Sequence, residues 1–185
     1  MIICQVPGFI VRQSYDLCQK QNLGKRGDGS DGTKMHQLAG VICQNAVLFA
    51  YGQPFMQALD THDNGQDIIL ANQIVDIKST RIDKPVREFH TQSVPEAQLR
   101  YNTQIYLFCA LDLTTMYMTV TGWLEKESFL DKATIHKKGE TTVMPNGVGY
   151  LNRMTTYNVR VADLRSDFAD WDDLAMQIET YSIYQ

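Results

Sequence analysis

The stretch from Asp67 to Lys78 constrains this chain more than any other. Two short apolar runs lie there, Asp67-Ile68-Ile69-Leu70-Ala71 and Ile74-Val75-Asp76-Ile77-Lys78, with only Asn72-Gln73 between them. Runs of this length rich in β-branched residues read as strands, and so short a connection leaves room only for a hairpin. Alternation along the second strand puts Asp76 and Lys78 on one face and Val75, Ile77 and Ser79 on the other. An even-numbered loop keeps parity across the hairpin. With Asn72-Gln73 as the loop, Asp67 is expected opposite Lys78 and Ile69 opposite Asp76, so the three polar groups share a face. A three-residue loop without a bulge would send Asp67 to the other side.

Around this hairpin the periodicity changes along the chain. Phe9 to Asn22 reads as a helix that Gly24 stops, and Lys25 to Gly32 is a glycine-rich loop. Asp31 or Thr33 can cap the next helix, in which Met35, Leu38, Ala39, Ile42, Cys43, Ala46, Phe49 and Ala50 recur at three- and four-residue steps up to Gly52. After the hairpin the pattern predicts a strand near Val86 to Thr91, a short helix from Pro95 to Arg100, and strands at Gln104 to Ala110 and Met116 to Gly122. A short helix at Glu125 to Lys132, several short strands between Ala133 and Arg160, and a largely polar helix from Asp163 to Ile183 complete the reading. The expected class is α/β or α+β, with a central mixed sheet flanked by helices in one domain spanning 1–185.

Composition excludes several alternatives. With 17 Lys+Arg against 21 Asp+Glu the formal charge is -4, which argues against sequence-blind coating of DNA but leaves room for a local basic rim. The longest apolar runs, Ala46 to Tyr51 and Ile105 to Leu111, fall short of the ~20 residues a bilayer crossing needs. The first residues lack the cationic start and apolar stretch of a secretory signal, so a cytoplasmic location is expected. Cys4, Cys18, Cys43 and Cys109 are widely spaced without zinc-ligand companions and read as free thiols. The glycine-rich loop does not fit the phosphate-cradling GxxxxGK[ST] pattern.

Two carboxylates and an ammonium on one face repel or lose water unless each finds a partner, and a divalent cation resolves the conflict. Asp67 and Asp76 offer hard oxygen ligands suited to magnesium or manganese, with the Ile77 carbonyl as a further ligand. Such an ion lowers the pKa of a bound water and polarises a phosphate oxygen, while Lys78 orients the water or meets charge on the phosphorane. The chemistry is hydrolysis of a phosphodiester. Against it stands the reading of Asp67, Asp76 and Lys78 as a surface salt-bridge cluster, worth ~0–1 kcal/mol per pair.

Asp67 with Asp76-Ile77-Lys78 resembles the signature of the PD-(D/E)XK nucleases, the restriction-endonuclease-like and Holliday-junction-resolvase-like superfamily. Gly65 to Leu70, Val75 to Thr80, Tyr106 to Ala110, and Gly122 to Lys126 with Phe129 look like small uncharacterised phage members, a likeness covering residues 24 to 161. The resemblance implies a restriction-endonuclease-like core and a magnesium- or manganese-dependent deoxyribonuclease, phage-encoded and working in the host cytoplasm. It also implies DNA as partner, no membrane, and a homodimer where both strands are cut. Two positions depart from the pattern. Gln66 stands where a proline often precedes the first Asp, and the helix Thr33 to Tyr51 has no acid where many members carry a metal-binding Glu. Gln44 is the matching position, with Gln37 and His36 behind it, and a helix-surface amide is the plainer reading of Gln44.

Arg81, Lys84 and Arg87 follow the hairpin and Arg26 precedes it, so a basic rim for phosphates is expected, the alternative being a solvated loop. A second function class stays open, a catalytically inactive nucleic-acid-binding or structural phage protein that keeps the nuclease fold. The missing helix carboxylate motivates it.

Overall fold

A strand without a single charged side chain for seven residues must be covered on both faces, and Ile105 to Leu111 is such a strand. In the computed structural model, which describes residues 1–20, 33–57, 66–143 and 147–184, it forms the buried centre of β5 (Ile105–Asp112). The other strands of its sheet are β1 (Ile2–Gln5), β2 (Ile68–Leu70), β3 (Gln73–Ile82) and β6 (Tyr117–Glu125), in the spatial order β1-β6-β5-β3-β2. Only β3 and β5 pair in parallel; the other neighbours are antiparallel, so the sheet is mixed.

One face of this sheet is covered by helices. α1 (Gly8–Lys20) packs on α2 (Lys34–Ala50), and α2 packs on β3 and β5. Ile42, Cys43 and Ala46 of α2 join Val75, Ile77, Leu107 and Cys109 in one core, with Leu174 and Ile178 of α4 (Trp171–Ile183). Between α1 and α2 two buried polar side chains satisfy each other: Asn45 Nδ2 donates to Ser14 Oγ at 2.9 Å, and Asn45 Oδ1 accepts from Met56 N–H at 2.8 Å. Tyr51 then ties the end of α2 to α4 by donating to the Trp171 carbonyl at 2.8 Å.

The other face is covered by a second sheet, β4 (Thr91–Pro95), β10 (Thr156–Arg160) and β7 (Thr134–His136), ordered β4-β10-β7, and by α3 (Lys126–Lys132). Val94, Tyr106, Phe108, Leu124, Phe129, Val159 and Leu164 form this second core. A separate hairpin, β8 (Thr141–Val143) with β9 (Gly149–Leu151), completes the strands among the described residues. The architecture is therefore mixed α/β with four helices among the described residues, none of them long and apolar enough to cross a membrane.

A bulge in β6 lets it serve both cores. The register slips between Phe108 and Cys109, whose partners are Gly122 and Val120, leaving Thr121 as the extra residue. Alternation consequently shifts from even to odd numbers: Met118 and Val120 enter the helical core, then Trp123 does, while Leu124 turns to the second core. Thr121 Oγ1 donates to the Phe108 carbonyl at 3.0 Å and accepts from Gln92 Nε2 at 3.3 Å, and Gln92 Oε1 accepts from Thr80 at 2.9 Å.

Several expected elements sit elsewhere. β1 is a strand that the pattern of the first residues did not announce, held as an edge by β6. Extended structure starts at Thr91 rather than Val86, where β10 supplies a partner; the Pro95 to Arg100 helix is a single 3-10 turn, Glu96–Gln98. The carboxyl-terminal helix begins at Trp171, where Asp170 caps it by accepting from Asp172 and Asp173 N–H, each at 3.0 Å, and not at Asp163. Thr33 is the cap of α2, accepting from His36 N–H at 3.3 Å. All four cysteines are free thiols, Cys43 and Cys109 buried.

Gly122 has φ +152, and a Cβ there would stand 2.6 Å from Leu164 Cβ and 2.7 Å from the Arg165 carbonyl oxygen. Gly122→Ala is expected to destabilise the chain by about 1–3 kcal/mol, read as a lower urea midpoint at unchanged slope.

Candidate active site

The hairpin carrying the two acids turns one residue earlier than its sequence suggests. Leu70 pairs with Gln73, Ile69 with Ile74 and Ile68 with Val75, so the loop is Ala71-Asn72 rather than Asn72-Gln73. Both loop residues take positive φ, 49° at Ala71 and 61° at Asn72, as a type I′ turn requires. Gln73 is thereby freed to start the strand. The loop length stays even, but the register shifts, and Asp67 lies beside Asp76 instead of opposite Lys78.

Two contacts bracket that position. Asp67 N–H donates to the Val75 carbonyl at 3.1 Å, and Asp67 Oδ2 accepts from Ile77 N–H at 2.6 Å. The carboxylate therefore takes the place of a ladder carbonyl just where β2 ends. A strand residue presents N–H and C=O on the same side, so the Ile77 carbonyl lies on this edge too.

Asp76 points the other way from Val75 and Ile77, into the layer between the two sheets. It is 2% exposed, which excludes a solvated surface cluster. Its Oδ2 lies 2.6 Å from Lys78 Nζ, yet among the described residues no hydrogen-bond donor is aligned on that oxygen. On β5 its register partner is Tyr106, fully buried with a hydroxyl that has no hydrogen-bond partner among the described residues. Burial, and secondly the charge of Asp76, push the Tyr106 phenol well above its ordinary range. Tyr106 thus stands neutral beside the acid. The sequence shows it only as one member of an apolar run; the parallel pairing that sets it against Asp76 is tertiary.

The remaining expected residues are spread out. Gln44 is half-buried on α2, which packs against the Val75 and Ile77 side of β3, and no hydrogen bond or ion pair joins it to Asp67, Asp76 or Lys78. The reason is alternation: the helix covers the face that the acid at 76 leaves. Arg81 is exposed near the end of β3, roughly 16 Å beyond Asp76 at ~3.3 Å per residue. Lys84 and Arg87 are exposed in the connection to β4, and Arg26 lies outside the described residues. Among the described residues no group of three or more His, Cys, Asp or Glu gathers to hold a metal. Among the described residues the acids at the hairpin are Asp67 and Asp76.

No family model, curated protein or solved structure matches the chain. What the hairpin does must be argued from its own residues.

Two measurements check this geometry. Replacing Ala71-Asn72 by Asn-Gly, through Ala71→Asn with Asn72→Gly, is expected to raise stability by about 0.5–1 kcal/mol in urea, because both positions need positive φ; a loop at Asn72-Gln73 would lose stability instead. The raised Tyr106 phenol contributes stability fully present below the unfolded value of ~10 and lost as pH rises above it. Tyr106→Phe should therefore flatten the fall in thermal midpoint that the wild type shows above about pH 10.

Proposed function

We propose that the chain is a metal-dependent deoxyribonuclease built on a restriction-endonuclease-like core, which hydrolyses phosphodiester bonds of DNA. The observation that carries this reading is the hairpin itself: Asp67 brackets Asp76 through Val75 and Ile77, and Lys78 stands 2.6 Å from the Asp76 carboxylate.

The donor set suits magnesium or manganese. Such ions are commonly held by one or two carboxylates, with waters and substrate phosphates completing the shell. Asp67 and Asp76 supply the carboxylates, one of them with a buried oxygen lacking an aligned donor, and the Ile77 carbonyl supplies a third oxygen on the same edge. When bound, the ion activates a water and polarises the scissile phosphate. The chain's own residues do the rest. The Ile77 N–H holds the Asp67 carboxylate in one orientation, and Asp76 holds the Lys78 ammonium in place. Lys78 orients the attacking water and meets the negative charge that grows on the phosphorane oxygens. Arg81, exposed near the end of β3, and Lys84 and Arg87, exposed in the connection that follows, contact flanking phosphates. Gln44 supports this reading only from the far face of the sheet, and the mechanism does not need it. Pairing of two copies would allow both strands to be cut.

A specific feature favours the second reading, a nucleic-acid-binding or structural protein that no longer cuts. Asp76 is almost wholly buried and already paired with Lys78, and α2 contributes no third acid.

The test is incubation of the purified chain with supercoiled, linear and branched DNA in magnesium or manganese. Metal-dependent cleavage is expected, with Asp76→Asn and Asp67→Asn lowering it by at least about 10²-fold and Lys78→Ala by ~10²–10⁴-fold, while thermal melts stay cooperative. Full activity in Asp76→Asn rejects the assignment. A manganese-dependent rise in melting temperature without cleavage of any substrate supports the second reading.

A further inference from the structure

The sheet under the helices ends in β1, and among the described residues no strand pairs with its outer edge. Val6 N–H donates to the Met116 carbonyl at 2.9 Å, continuing the register in which Gln5 faces Tyr117 and Cys4 faces Met118. Along an antiparallel strand the residues that bond to one neighbour alternate with those that bond to the other. Ile2, Cys4 and Val6 therefore turn their backbone groups to β6, and the N–H and C=O of Ile3 and Gln5 point out from the sheet.

Such a row of free donors and acceptors is a template for another strand, and edges are ordinarily blunted by charged side chains, a bulge or a covering segment. Among the described residues β1 carries none of these. Its register with β6 runs without a shift, and no side chain from Met1 to Val11 is charged. Gln5 is exposed, and Ile3, a large apolar side chain, is 66% exposed.

The symmetry of the edge selects its occupant. A second copy presents the same donors and acceptors, brings no side-chain charge that would repel, and satisfies both edges at once when it runs antiparallel about a two-fold axis. Hydrogen-bonded pairs form only between residues whose groups point outward, so the axis falls on Ile3, Cys4 or Gln5. On Gln5 it would set Ile3 against Pro7, which has no N–H to give. On Ile3 it would set Gln5 against Met1, whose amino group already donates to the Ser166 carbonyl at 3.1 Å. On Cys4 it sets Ile3 of each copy against Gln5 of the other, which uses the outward groups of both residues. The two Ile3 side chains then come within diagonal reach on one face, and the two Cys4 side chains face each other on the other. We propose that two copies of this chain pair through β1, antiparallel about a two-fold axis at Cys4, and join their sheets into one. The interface is independent of the nuclease reading, since it needs neither metal nor DNA.

The test is sedimentation velocity of the full chain over a concentration series, without metal or DNA. A concentration-dependent dimer is expected. Ile3→Lys should leave only monomer at every concentration while the thermal melt stays cooperative, because the side chain is exposed. Cross-linking then reads the register. Facing residues of a non-hydrogen-bonded pair stand ~4.5 Å apart at Cα, within the span that a disulfide bridges. In a Cys18→Ser background Cys4 is the one cysteine that is not buried. There diamide, taking up the two thiol hydrogens, should join Cys4 of one copy to Cys4 of the other. The covalent dimer should be lost in Cys4→Ser and in Ile3→Lys alike. Monomer at every concentration overturns the proposal, and so does a dimer that survives Ile3→Lys. A dimer that Ile3→Lys dissolves but diamide does not link through Cys4 overturns the axis at Cys4.

Discussion

Asp76 is a charge placed where water does not reach, and much of the surrounding arrangement answers that fact. Strand β3 has α2 on one face and the second sheet on the other, so a carboxylate in its middle must find its counter-charge inside the protein. Lys78 provides it from the same strand and face, two residues on. Breaking such a pair by removing one partner typically costs ~3–5 kcal/mol, whereas an apolar pair of equal volume would often be no less stable.

The hairpin turn governs what stands next to that acid. Because Ala71 and Asn72 both adopt positive φ, the ladder closes one residue early, and Asp67 caps the free N–H of Ile77 where β2 runs out. The short strand and the carboxylate cap belong together: a longer β2 would bond Ile77 with its own backbone and leave Asp67 no such role. On the opposite side β5 sets Tyr106 against Asp76 through the parallel register, a pairing that no short loop enforces.

The same physics recurs at Glu125. There the counter-charge comes from Arg165, far along the chain, stacked between Trp123 and Tyr181. The bulge at Thr121 makes this possible, since without the extra residue Trp123 and Glu125 would alternate to the other face. Gly122 permits the bulge to lie flush against Leu164 and the Arg165 backbone.

Local pattern alone decided a good deal. The helical period from Met35 to Ala50 with Thr33 as cap, the hairpin, the strands around Ile105 and Met118, the helix after Glu125 and the free thiols are all consequences of neighbouring residues, and so is the shared face of Asp76 and Lys78. Such features depend on interactions within a few positions, where periodicity and turn chemistry act directly. What required the tertiary structure is of another kind. The exact turn, the strand status of Ile2 to Gln5, the start of β4 at Thr91, the face on which Gln44 lies and the Tyr106 and Arg165 partners all come from pairing over long separations. A strand edge or a buried charge accepts whichever partner packing delivers, and that choice is made by the whole molecule rather than by adjacent residues.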